Sequence, residues 1–217
     1  MKIGIEINHV IRDINSQMLK YYMKDIDKSF DDSVIEMSTT NFIDSLGFKT
    51  KKSKENFLYV DYPYEIFGCA KTVDRHTSVQ LNTWIEDMDD EGLNGSEVSL
   101  FSLKENALTI QSTYYFLSKI GCRVRNIFFP KDGSDMWNKC DVIITTDERI
   151  VRNKPHGKKV VLILTSNNKH LIPLSDLVYP SFVDVVEDKS FFTVLKKLQP
   201  SRSIFSIIEN KLKKIFR

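Results

Sequence analysis

Apolar and polar residues alternate from Met1 to Ile7, with Ile3, Ile5 and Ile7 on one side, and the alternation predicts a strand. The period then changes. Leu19, Tyr22, Met23, Ile26 and Phe30 fall at helical spacing behind a cap at Asn15 or Ser16. The signal weakens over residues 31–56, where a short helix near residues 40–46 is expected to stop at Gly47 and a basic loop carries Lys49, Lys51, Lys52 and Lys54. Pro63 opens a further helix, and Leu81, Trp84, Ile85 and Met88 form a stripe on a later one that ends in the acidic run from Glu86 to Glu91.

Beyond Gly95 the chain alternates between buried runs and helices. Residues 98–102, 124–129, 141–145 and 160–164 are short and apolar, and a helical stripe of Ala107, Ile110, Tyr114 and Leu117 separates the first two. Continuous apolar runs separated by helices indicate a parallel sheet with both faces covered. The fold class is therefore α/β, a Rossmann-like parallel sheet of about five strands. The ~80 residues between the first two strands exceed an ordinary crossover and read as a helical cap inserted after strand one. The expected units are an α/β core over 1–13 and 97–200, an insertion over 14–96, and a basic amphipathic helix over 201–217. In the tail, residues 183–186 suit a strand, and Phe191, Leu195 and Leu198 suit a helix. The last helix has two readings, packing on its own core or docking on a partner or an anionic surface.

Composition narrows the function classes. The chain has 217 residues, 41% hydrophobic and 28% charged, enough to bury a core. Its formal charge of +2 is too small for a strong nucleic-acid signal. No apolar run reaches the roughly 20 residues of a membrane span, and no signal peptide is recognised at the N-terminus. The three cysteines form no CxxC pair, and the four histidines have no metal-ligand spacing. A cytoplasmic or virion-associated location, with reduced buried thiols, is the expectation.

Chemistry in an open parallel sheet sits at the carboxyl ends of its strands. Those ends carry Glu6 to Asp13, Ser102, Thr145-Thr146-Asp147 and, in a following loop, Lys131. The stretch Ile3-Gly4-Ile5-Glu6-Ile7-Asn8-His9-Val10-Ile11-Arg12-Asp13 resembles the first motif of the haloacid dehalogenase (HAD) superfamily, an apolar strand followed by Asp-x-Asp-Gly-(Thr/Val)-Leu-x-Asp. The strand, Val10, Ile11 and Asp13 match. Ser102 stands where the family ends strand two on Ser or Thr, and Lys131 where a lysine follows strand three. The layout is most similar to the 5'(3')-deoxyribonucleotidase branch.

The departures carry the functional expectation. The resemblance implies an aspartate nucleophile where Glu6 stands, a general acid where Asn8 stands, and a Mg²⁺-holding acidic pair where Thr145 and Thr146 stand. An amide does not titrate, and a hard cation prefers carboxylates. Three altered positions therefore predict a pseudo-phosphatase with no catalytic residues, no metal and no cofactor. It would serve as a structural or protein-interaction module for other protein chains, with a bacteriophage virion or tail as a suggested assembly. Ser102 and Lys131 remain candidates for anion binding, or else a helix cap and a surface lysine. The alternatives are a Mg²⁺-dependent phosphatase or nucleotidase with an atypical site, using Glu6 or Asp13, and a phosphate or nucleotide binder without hydrolysis.

Overall fold

The computed structural model describes residues 1–90 and 96–198. The chain begins with β1 (Lys2–Glu6), a tight loop, β2 (Arg12–Asp13) and α1 (Ile14–Asp25). Short elements follow: α2 (Phe42–Ser45), α3 (Lys51–Asn56), β3 (Lys71–Thr72) and the longer α4 (Thr77–Asp90). Then come β4 (Glu97–Phe101), α5 (Ala107–Lys119), β5 (Asn126–Phe128), β6 (Val142–Thr145) and α6 (Glu148–Arg152). The last described elements are β7 (Lys159–Ile163), β8 (Leu177–Tyr179), α7 (Phe182–Glu187) and α8 (Phe191–Leu198).

Six strands form one sheet in the order β5-β4-β1-β6-β7-β8, and every pairing in it is parallel. β1 is central. Ile3, Ile5, Leu100, Val142, Ile144 and Val161 are all buried in one core cluster, and each isoleucine so placed contributes about 1.5–3 kcal/mol. The sheet has one strand more than expected. Residues 183–186 are helical, because Ser181 caps α7 by accepting from the Asp184 N–H and Val185 turns inward. The added strand is Leu177–Tyr179, three residues long and at the sheet edge.

A second cluster fills the insertion, where Ile14, Met18, Tyr22, Phe42, Phe57 and Phe67 pack together. Asp13, rather than Asn15 or Ser16, caps α1 through the Ser16 N–H. The Asn15 amide instead donates to the carbonyls of Met37 and Thr39. The expected basic loop contains α3, started by a reciprocal capping box between Thr50 and Ser53. α4 falls inside the expected 14–96 insertion, yet its Leu81 and Trp84 pack with the sheet core, Trp84 against Phe182, Phe191 and Phe192. Cys140 is buried, whereas Cys69 and Cys122 are only half-buried, and all three are free thiols. Residues 91–95 and 199–217, which include the end of the acidic run and the expected C-terminal helix, lie outside the described residues. Among the described residues no helix is long and apolar enough to cross a membrane.

Candidate functional site

The carboxyl end of β1 opens into a cleft of about 430 Å³ between the sheet and the insertion. Glu6, Asn8 and His9 line its floor; Met18, Thr40 and Tyr59 come from the insertion; Lys104 and Thr146 come from loops of the core and Arg149 from the first turn of α6. The two bodies are tied across the cleft's edges. Asn167 exchanges hydrogen bonds with Thr40, the Ser166 N–H donates to the Ser38 carbonyl, and Asn106 donates to the Tyr59 carbonyl.

Glu6 is 5% exposed. Its Oε2 accepts from the Thr145 hydroxyl at 2.6 Å, the Thr146 N–H at 2.9 Å and the Thr146 hydroxyl at 3.3 Å. Its Oε1 accepts from none of the described residues. Burial pushes this carboxyl up from 4.5 to about 7, aided by repulsion from Asp147 and opposed by the three donors. The threonines that replace the family's acidic pair thus hold the glutamate rather than a metal.

The loop from β1 to β2 is held by Ile11 and Arg12 N–H groups donating to the Ile7 carbonyl and by His9 N–H donating to that of Arg12. This turn puts His9 at φ 64°, a left-handed conformation that favours glycine, where the family motif has glycine. Burial pushes the imidazole down to about 4, Arg12 adding to the effect and Asp13 opposing it, so it is neutral at pH 7.

Arg12 is fully buried. It pairs with Glu105 at 2.8 Å, donates to Thr113 Oγ1 at 2.6 Å and to the Phe67 carbonyl at 3.0 Å, and lies over the Phe67 and Phe116 rings. Its Nε and Nη2 both donate to Asn8 Oδ1, at 3.0 and 2.6 Å. Sequence reasoning missed this hub, whose partners are spread over residues 8 to 113; an arginine directly after two apolar positions was the available signal.

The remaining candidates are placed as follows. Ser102 is fully buried, and its Oγ accepts from Asn8 Nδ2 at 3.2 Å; Asn106, not Ser102, caps α5. Lys131 is exposed on the loop after β5 and is not among the residues lining the cleft. The structure therefore does not bring Ser102 and Lys131 together on one ligand surface. Asp13 is engaged in the α1 cap and faces a separate cavity of about 280 Å³. Asp147 caps α6 and takes a forked ion pair from Arg149. Lys104 and Arg149, neither anticipated, bring positive charge to the cleft.

The donor set does not fit the family's magnesium ion. Glu6 Oε2 is taken by three protein donors, Asn8 Oδ1 by Arg12, and Asp147 by Arg149. Among the described residues no three His, Cys, Asp or Glu side chains are grouped as metal ligands. A hard cation seated there would have to displace these bonds and would find a single unengaged carboxylate oxygen on Glu6.

No protein-family profile matches the sequence, and comparison with curated proteins finds no match. Solved structures do match. A haloacid dehalogenase-like family hydrolase from Streptococcus pneumoniae aligns at a TM-score of 0.53 and 10% identity, covering 85% of this chain and 96% of that one. A dehalogenase solved with an intermediate complex aligns at 0.49 and 10% identity, over 85% and 94%. The first likeness corrects the expectation of a non-catalytic pseudo-phosphatase to this extent: the solved protein that shares this fold is itself described as a hydrolase, and the likeness is one of fold. It lends no support to a structural or phage role, and it does not single out the deoxyribonucleotidase branch. With its six-stranded parallel sheet and flanking helices, the chain has a HAD-like α/β fold.

Proposed function

We propose that the cleft is the active site of a hydrolase that acts on a small phosphate ester without a bound magnesium ion, with Glu6 as the reacting carboxylate. One observation carries the reading. Glu6 stands at the carboxyl end of the central strand with one oxygen held by Thr145 and Thr146 and the other open to the cleft. Fixing Oε2 aims Oε1, and alignment of reacting groups is worth several kcal/mol of a barrier, about 7–11 kcal/mol at most. In the first step Oε1 attacks phosphorus; the new P–O bond forms as the ester P–O bond breaks, and its electron pair departs with the leaving oxygen. Water then attacks the phosphorus of the acyl phosphate, releasing dihydrogen phosphate and regenerating the carboxylate. Lys104 and Arg149 offset the charge of the bound phosphoryl group.

The test is hydrolysis of 4-nitrophenyl phosphate by the purified chain in excess EDTA, beside the Glu6→Gln variant. Turnover that persists in EDTA and is lost in Glu6→Gln is expected. A folded chain that shows no turnover, or turnover retained in Glu6→Gln, would overturn the reading. Thermal stabilisation by phosphate without turnover would favour a binder instead.

A further inference from the structure

Two residues beyond Glu6 the cleft carries an amide with no proton to give. Arg12 has donors only, so its two N–H groups at 3.0 and 2.6 Å oblige the Asn8 carbonyl to face it and the Asn8 NH₂ to face away. One Nδ2 hydrogen goes to Ser102; the other has no acceptor among the described residues, and Asn8 lines the cleft. This orientation is rigid, because Arg12 is itself fixed by Glu105, Thr113 and the Phe67 carbonyl. Asn8 can therefore donate a hydrogen bond to a bound oxygen and cannot protonate it.

Among the described residues that line the cleft, no side chain is left to supply the missing acid: the Lys104 ammonium is committed to the phosphoryl oxygens, and Glu148 is paired with Arg152. His9 is neutral at pH 7 and held so by burial. The Tyr59 phenol is pushed up by burial and by Glu105 and Glu55, which makes it a poorer acid. Asp147 is engaged by Arg149, and Glu6 is the attacking group. A departing oxygen must then leave carrying its own negative charge.

Resting on the hydrolase reading above, we infer that the cleft cleaves phosphoryl groups from leaving groups that are stable anions, namely acyl, enol and acidic aryl phosphates, and leaves phosphate esters of ordinary alcohols intact. The atoms balance without an acid: Glu6 Oε1 gains the phosphoryl group, the leaving oxygen keeps the electron pair of the broken bond, and the attacking water's protons leave with phosphate.

The experiment compares acetyl phosphate, 4-nitrophenyl phosphate, phenyl phosphate and glycerol phosphate on the wild-type chain at pH 8. A general acid is worth about 10²–10⁴-fold, so its absence should appear as a kcat/KM for phenyl phosphate at least ~100-fold below that for 4-nitrophenyl phosphate, with glycerol phosphate uncut. Hydrolysis of glycerol phosphate within about tenfold of 4-nitrophenyl phosphate would overturn this inference and leave the hydrolase reading standing. No turnover of any of the four, acetyl phosphate included, would overturn the hydrolase reading and this one with it.

Discussion

The Thr145 hydroxyl donates to Glu6 Oε2 at 2.6 Å, joining the ends of two adjacent parallel strands. A hydrogen bond to a charged group is worth about 1.5–3 kcal/mol, and it favours the ionised form of the acceptor. Thr145→Val removes it while keeping the shape. The acidic limb of kcat/KM, expected near pH 7 in the wild type, should move up by about one unit, read from the pH–rate profile of 4-nitrophenyl phosphate hydrolysis.

Stability should respond to the same carboxyl in the opposite direction from activity. Glu6 is raised from 4.5 to about 7 on folding, so the folded state favours the neutral form. Its contribution is fully present below pH 4.5 and is lost as pH rises through 7. The loss is at most on the order of 3 kcal/mol. His9, lowered from 6.5 to about 4, acts in the other sense, its contribution fading as pH falls from 6.5 towards 4. The difference between wild type and Glu6→Gln therefore isolates Glu6. In urea unfolding, the wild type should lose stability relative to Glu6→Gln between pH 5 and pH 8.

The Arg12–Glu105 pair is fully buried on both sides. Removing one partner strands the other charge, which costs about 3–5 kcal/mol. Glu105→Ala should therefore be far more damaging than a surface change such as Glu55→Ala, whose Lys51 pair is exposed and worth under about 1 kcal/mol. Denaturant midpoints of the two variants check this.

Gly4 has a steric reason of its own. A Cβ there would lie 2.7 Å from Cys140 Sγ, in the middle of the sheet. Gly4→Ala should cost about 1–3 kcal/mol by overpacking. Adding Cys140→Ala removes the clashing sulfur, so the double variant should be more stable than the sum of the single changes implies, as a double-mutant cycle would read.

His9 occupies a left-handed position on the cleft floor. Substitution His9→Gly relieves roughly 1–2 kcal/mol of backbone strain, offset by about 0.5–1 kcal/mol of added freedom in the unfolded chain. The melting temperature should change by only a few degrees, while the wider cleft lowers KM for bulky aryl phosphates.

The core was legible wherever burial is two-sided. Val142-Ile143-Ile144 and Val160-Val161-Leu162 read as strands because a parallel sheet covered on both faces wants continuous apolar runs. Leu177–Tyr179 was missed because three residues carry too little pattern, and Val183, Val185 and Val186 drew the assignment instead, until the Ser181 cap turned them into a helix. Thr50 and Ser53 make a helix inside what composition shows only as a lysine-rich loop. At the site, residue types were readable but their partners were not. Thr145 and Thr146 look like a lost metal seat until their hydrogen bonds to Glu6 are seen. Asn8 looks like a lost acid until Arg12 is found against it. The first pairing is made across some 140 residues of chain, and the second, only four residues apart, is made by the tight turn after β1; neither leaves a periodicity.

The most direct test of the account is mass analysis of residue 6 during turnover. The wild-type chain is mixed with excess acetyl phosphate in EDTA, quenched rapidly in acid and digested. The account predicts one phosphoryl group on the peptide containing Glu6, and none in the Glu6→Gln variant. Phosphate release with Glu6 unmodified, or a phosphoryl group on another residue, would contradict it.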